Sequence, residues 1–483
     1  MSLMDLNRSK ETRFLPEIIQ GGMGFYISSP FLARAVSMCG QLGTASGVGA
    51  DILLARILQN GDPGGHFRRA LAHFPFQHVA QRVIEAFYEE GGIPQGVRYK
   101  GKPVFTVKPS DLLVSLTICA NYAFVYLAKE GHSNPVSINY MEKIAMPIPF
   151  AMVGGMLAGV NFVTMGAGIP RQIPDLIDAI AEGRTLQYEV PVLGDDGKVK
   201  RHHTMSFDPK TFFGSELPPL KKPGFIPIVA SNALATYFAT KFEGRVYGLV
   251  VEEETAGGHN APPRDLVRDA TGRPLPIYGQ RDVVDYRKVA ALGLPFWIGG
   301  SRSSPEQILW AKSVGAVGAQ CGGIFALSDE SGMDPKLRRK LREQGFRGKL
   351  IVRTDMDISP TGYPFQLVEL EETISDPSVY EKRPRVCSQC ALVDLYDRPN
   401  GTIGYRCPAE PEDKYASKGG DKDTRGVGCL CNGLMATAGM GDKGEPPVVT
   451  LGKYLGFLPK LIEGPESSYG VKQAIDYLLG TTT

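Results

Sequence analysis

The chain has 483 residues, with 53 Lys plus Arg against 51 Asp plus Glu and a formal net charge of +2. A single core stops growing near roughly 250–300 residues, so this length predicts either one large domain with an extension or two to three ordinary domains. The balanced charge, with no basic block, speaks against nucleic-acid binding and for small-molecule chemistry.

The opening segment, MSLMDLNRSKETRFLPEI, lacks the uninterrupted apolar core of a secretory signal, so a cytoplasmic protein is expected. From residue 16 to about 323, short β-branched runs alternate with longer helical patterns. Strands are expected at 17–20, 42–45, 136–140, 160–165, 226–230, 246–251, 296–299 and 317–320. Eight successive strand and helix units with few hairpins predict an α/β fold closed as a (β/α)8 TIM barrel, with an open doubly wound sheet as the alternative. Two stretches are longer than a barrel connection needs and are expected as insertions: 51–107 and 185–223. Within the second, GDDG between two alternating runs signals a β-hairpin. The uncharged run LLVSLTICANYAFVYLA (112–128) is barely long enough to cross a bilayer and carries Ser115, Thr117 and Asn121. It is expected as a buried core helix, with no membrane partner. The barrel with its insertions is assigned to 1–331. The Pro-rich and Cys-rich remainder, 332–483, loses the alternation and is expected as a separate lobe.

Glycines mark the strand exits. QGGMG (20–24) follows the first strand, and a serine-capped, proline-started helix comes next. The pairs Gly299-Gly300 and Gly322-Gly323 end the last two strands. In a (β/α)8 barrel, backbone N–H groups at those exits commonly grip a phosphate, which predicts a phosphorylated cofactor. The segment VVEEETAGGHNAPP sets His259 on the same rim. Imidazole titrates near neutrality, so a catalytic role is expected for His259, with Glu252, Glu253 and Glu254 raising its pKa.

IIQGGMG (18–24), LGTASG (42–47), SINYM (137–141), AGGH (256–259), WIGGS (297–301) and AQCGGIF (319–325) occur in the order seen in nitronate monooxygenases, formerly 2-nitropropane dioxygenases, and the chain resembles that family over about 16–331. Residues 138–174 look closer to a sister branch, the FMN-dependent enoyl reductases of polyunsaturated fatty acid and polyketide synthesis. The resemblance implies an FMN-containing barrel. Gly22 and Met23 would line the isoalloxazine, Asn139 would hydrogen-bond to it and Gly257 would pass close to it. Gly299, Gly300, Gln320, Cys321, Gly322 and Gly323 would cradle the phosphate, with Cys321 a small filler rather than a nucleophile. Glu252 stands near the flavin where the monooxygenases usually carry glutamine, and an ionised carboxylate there would disfavour the anionic reduced ring.

The activity implied is oxidation of alkyl nitronates or nitroalkanes by O2 to a carbonyl compound and nitrite. The alternatives are NAD(P)H-dependent reduction of an enoyl thioester, and a flavin-binding partner in a biosynthetic complex. The partners expected are a small-molecule substrate with O2 or NAD(P)H, and a homodimer is the assembly to be tested. In the tail, Cys387, Cys390, Cys407, Cys429 and Cys431 form a CxxC, single Cys, CxC arrangement in a segment with little core of its own. Such a segment is expected to hold Zn2+ or an iron-sulfur cluster; the alternative is reduced thiols.

Overall fold

A computed structural model describes residues 13–94, 96–194, 197–420 and 424–481. Eight parallel strands form the barrel: β1 (Ile18–Gln20), β2 (Gly43–Ser46), β3 (Val136–Met141), β4 (Phe162–Gly166), β5 (Gly224–Val229), β6 (Leu249–Glu252), β7 (Phe296–Gly299) and β8 (Gly318–Cys321). All eight fall where the sequence predicts them. The largest offset is at β6, which starts three residues late, although Tyr247 N–H already bonds the Phe225 carbonyl at 2.8 Å. The ring closes on both sides of β1. Ile19 pairs with Gln320 of β8, and Ile19 bridges Leu42 just ahead of β2, where Gln20 N–H donates to Leu42 O at 2.9 Å. The α/β expectation and the closed barrel therefore hold over the open sheet.

Side chains alternate across each strand, so every second residue points into the barrel. Ile19, Leu42, Phe162, Ile226, Val250 and Trp297 form one buried cluster along the axis. Trp297 is fully buried and its indole N–H donates to Pro16 O at 2.7 Å, where the chain enters β1. That layer closes the end of the barrel from which the strands start, so a ligand can approach only where they finish.

The run 112–128 lies in the helix Asp111–Lys129, which Ser110 caps by accepting from Leu113 N–H. Among the described residues it is the one helix long and apolar enough to cross a membrane, and 83% of its apolar window is buried inside the protein, as expected of a core helix. The first insertion folds as the helices Ala50–Gln59, His66–Ala72 and Gln77–Phe87, and its described residues from there to Val107 belong to no helix or strand. The second insertion contains the expected antiparallel pair, Leu186–Leu193 with Val199–Phe207; residues 195 and 196 of its GDDG turn lie outside the described residues, as do residues 1–12.

The C-terminal segment packs back on the barrel rather than standing apart from it. Its strand Asp394–Asp397 joins the hairpin through Leu395–Val192 pairing, and Phe365–Glu369 pairs with residues 258–259 beyond β6. The helix Val471–Leu478 shares an apolar cluster with Leu32, Val36 and Ile308 of the barrel helices. The tail's four short strands form two antiparallel pairs, and each pair is extended by a segment of a barrel loop.

Candidate active site

A cavity of about 220 Å³ opens at the ends of the barrel strands. It is lined by Gly22, Met23, Asn139, Glu252, Gly257, His259, Gly299, Gly300, Gln320, Gly322 and Gly323, so the structure brings together every cofactor and catalytic residue expected from the sequence except Cys321. Strand parity explains the exception: Gln320 faces inward, and its neighbour Cys321 faces out. The Cys321 thiol is 1% exposed, donates to Arg302 O at 2.8 Å, and is pushed up to about 12 by burial. Cys321 serves the site through its backbone, where its carbonyl accepts from Gly21 N–H at 2.8 Å.

The loop after β1 is pinned by Ser28, whose hydroxyl bonds Gly21 O at 2.8 Å, accepts from Met23 N–H at 2.8 Å and meets Gln20 Nε2 at 2.6 Å. Gly22 crosses directly over Asn139: a Cβ on Gly22 would lie 2.0 Å from Asn139 Cβ. Asn139 accepts from Thr164 Oγ1 at 2.9 Å and donates one amide hydrogen to Gly22 O at 3.3 Å. An amide nitrogen carries two hydrogens, so one remains for a ligand.

Beside this loop lies a cradle suited to a phosphate or ring edge. A Cβ on Gly322 would meet nothing nearer than Met23 Sδ at 3.6 Å, and one on Gly323 nothing nearer than 3.9 Å, so the missing side chains leave open space. Gln320 Nε2, aimed into the cavity from β8, is buried without a hydrogen-bond partner, as is Nε of Arg302. Buried donors are seldom left unpaired, and two beside a glycine cradle fit an anionic oxygen-rich group. Arg302 adds the positive charge; it is held by Glu253 at 2.6 Å and lies 4.4 Å over the Trp310 ring. The sequence reading missed Arg302, although it directly follows the WIGGS motif.

Glu252 ends β6 on the cavity floor. Protein surrounds it on all sides while water still reaches it through the cavity, and this burial pushes its pKa up to about 8. It therefore keeps its proton at neutral pH, so the negative charge expected beside the cofactor is absent there. His259 is shifted the other way. Burial first, and the positive charge of Lys143 second, push its pKa down to about 4. The expectation that the three glutamates raise it is overturned: Glu252 is uncharged, and Glu253 is tied to Arg302 and to the Tyr286 hydroxyl at 2.6 Å.

The C-terminal segment completes the site, which the sequence did not reveal. Ser359 Oγ lies 2.6 Å from His259 Nε2, and the Phe365 ring stands edge-on to the imidazole with centroids 5.0 Å apart. Leu451 passes so close to Gly257 that a Cβ there would be 2.9 Å from its backbone. Leu392, Leu430 and Leu434 add apolar wall.

The metal centre expected of the five tail cysteines finds no support in the structure. The Cys387 thiol bonds those of Cys390 and Cys407, and Cys429 bonds Cys431. Cys429 also lies within electrostatic reach of Cys387, and among the described residues no three His, Cys, Asp or Glu side chains are grouped so as to hold a metal ion. All five are free thiols, and the bond to Cys387 together with burial raises the pKa of Cys390. Cys407, Cys429 and Cys431 are buried in the apolar core shared with the barrel.

No protein-family model matches the chain, and no curated protein matches it. Among solved structures it is similar to FabK from Thermotoga maritima, at 15% identity over 96% of this chain and 92% of that one with a TM-score of 0.49. It is also similar to the nitroalkane oxidase from Streptomyces ansochromogenes, at 12% identity over 97% of both chains with a TM-score of 0.44. A third is the enoyl reductase domain of MlnA from the macrolactin biosynthesis cluster of Bacillus amyloliquefaciens, at 10% identity over 76% of this chain and 67% of that one, with a TM-score of 0.37. Likeness this distant says nothing of chemistry, and the barrel rests on its own strand pairing. The chain resembles nitronate monooxygenases and FMN-dependent enoyl reductases in the order of its motifs, and is similar at a distance in structure to the three proteins named here.

Proposed function

We propose that the chain is an FMN-dependent oxidoreductase that reduces the carbon–carbon double bond of an enoyl thioester with NAD(P)H as the electron source. The observation that carries this reading is the pair Glu252 and His259 at the barrel mouth, an acid that retains its proton and an imidazole that stays uncharged. Gly22, Met23 and Asn139 would hold the flavin ring, and Gly299, Gly300, Gln320, Arg302, Gly322 and Gly323 its phosphate. Bound there, FMN would supply hydride transfer from the nicotinamide to the β-carbon of the substrate.

The chain's own groups manage the proton and the carbonyl. Once the β-carbon is reduced, the α-carbon needs a proton, and a carboxyl with its pKa near the working pH is suited to give one. Glu252 is that group. If Ser359 donates to His259 Nε2, the ring proton resides on Nδ1 and serves as a donor to the thioester oxygen. Oxidation of a neutral nitroalkane would instead ask His259 to act as a base, and a pKa near 4 makes it a weak one.

The test is steady-state turnover by the FMN-loaded protein. NADPH consumption under argon that depends on a crotonyl thioester, with saturated thioester as the product, is the expected result. Nitrite release from an alkyl nitronate in air, without thioester-dependent NADPH oxidation, would overturn the proposal.

A further inference from the structure

Cys387 and Cys390 stand in a loop that is tied to the wall of the active-site cavity by two routes. Along the chain, Cys390 is followed by Ala391 and then by Leu392, which lines the cavity. Across the fold, the buried Asn432 donates to Val386 O at 3.2 Å and to Ser388 Oγ at 3.1 Å. Asn432 belongs to the helix Leu430–Thr437, whose Leu430 and Leu434 form part of the same wall. Cys390 itself lines a slot of about 30 Å³ that shares Val48, Tyr140, Met141 and Ile144 with the cavity.

The two thiols are neighbours, and they differ from the rest of the tail cysteines in access. The Cys390 thiol bonds the Cys387 sulfur and lies 3.7 Å from Cys387 O. Both residues are half-buried, whereas Cys407, Cys429 and Cys431 are buried. Cys390 also holds a φ of 50°, a left-handed conformation that residues with a side chain adopt only under constraint, so a rearranged loop would relieve strain. The bond to Cys387 first, and burial second, hold the Cys390 thiol above its ordinary pKa. A protonated thiol is a slow nucleophile, so the pair stays reduced in ordinary turnover and answers to sustained oxidant.

We propose that Cys387 and Cys390 form an oxidative modification site, closed to a disulfide by hydrogen peroxide, and that closure slows turnover by displacing Leu392 and the helix Leu430–Thr437 at the cavity wall. In the first step one sulfur attacks peroxide, the O–O bond breaks, and a sulfenic acid and one water form. In the second the neighbouring sulfur displaces that oxygen, the S–S bond forms and a second water leaves. The two thiols lose two electrons and two hydrogens, and peroxide is reduced to two waters. Peroxide arises when oxygen, instead of substrate, takes the electrons of a reduced flavin. That source rests on the proposed flavin site, whereas the dithiol chemistry stands without it.

The test uses the FMN-loaded full chain, incubated with added hydrogen peroxide, alkylated and digested with trypsin. Cys387 and Cys390 share the tryptic peptide 386–406, with no other cysteine in it. That peptide is expected to become lighter by two hydrogens and to resist alkylation, and dithiothreitol should reverse both changes. In parallel, kcat/KM for a crotonyl thioester should fall at least about tenfold and recover with the thiols, the scale of a small displacement at a reacting site. Cys387→Ser and Cys390→Ser should each keep the starting kcat/KM and lose the reversible loss under peroxide. Closure should be faster in alkaline than in neutral buffer, because the thiolate is the attacking form. A peptide that stays open to alkylation, or a bond from Cys387 to Cys407 in its place, overturns the site. Closure with kcat/KM unchanged overturns the link to the cavity wall. Closure and reopening with no thioester reduced at any stage contradicts the reductase and leaves the dithiol site standing.

Discussion

His259 Nε2 and Ser359 Oγ lie 2.6 Å apart, joining the barrel rim to the C-terminal segment across 100 residues of chain. The bond couples the imidazole tautomer to the Ser359 hydroxyl, so that donation by Ser359 places the ring proton on Nδ1, and the Phe365 ring packs edge-on against the imidazole. His259→Gln should lower kcat for enoyl thioester reduction about a hundredfold or more, the usual scale for a lost positioned donor. Ser359→Ala should lower it about tenfold, with KM for NADPH little changed, because it frees the tautomer and leaves the ring in place. Steady-state kinetics of both variants check this.

The two shifted groups give opposite stability signatures. His259 is held at about 4 against an ordinary 6.5, so its contribution is present above pH 6.5 and is lost as pH falls toward 4. Thermal unfolding between pH 4 and 7 should therefore show a fall in Tm that His259→Gln reduces.

Glu252 is held at about 8 against 4.5, so its contribution is full below pH 4.5 and is lost as pH rises through 8. Glu252→Gln should match the parent Tm at pH 4.5 and exceed it by a few degrees at pH 8.5, a gain of about 2 kcal/mol once water in the cavity is allowed for. The same variant should lose the alkaline limb of the kcat profile and about a hundredfold in rate.

The glycine cradle makes a ligand-content prediction. A side chain at Gly322 enters open cavity and strikes nothing in the fold. Gly322→Val should cut flavin content per chain at least tenfold, read at 450 nm, while far-UV circular dichroism stays unchanged. Gly22→Ala, whose Cβ would meet Asn139, should lower Tm as well.

The tail thiols are predicted to be metal-free. Elemental analysis should find less than about 0.1 zinc or iron per chain, and a chelator should leave Tm unmoved, in contrast to structural zinc sites, whose loss unfolds small domains. One metal per chain would contradict the geometry.

Much of the barrel could be read from the sequence because its signals are local. Most strands are short apolar runs, glycine stands at the exits of β1, β2, β4, β7 and β8, and Gly22, Gly299, Gly300, Gly322 and Gly323 lie within those exits. The sequence reading placed Cys321 with Gln320 in the cradle, and the alternation of side chains along β8 separates them. What was not legible depends on distance in the chain and on burial. Ser359, Phe365 and Leu451 reach the site from the C-terminal segment, whose strands pair with barrel loops as well as with each other. The pKa values of His259 and Glu252 are set by the protein packed around them; three neighbouring glutamates suggest the reverse sign for the histidine.

The most direct test is anaerobic stopped-flow absorbance of the FMN-loaded protein at 450 nm. The account predicts that NADPH bleaches the flavin and that a 2-enoyl thioester, added next without oxygen, restores the colour in step with saturated thioester. Bleaching by an alkyl nitronate, with NADPH inert and the thioester without effect, would contradict it.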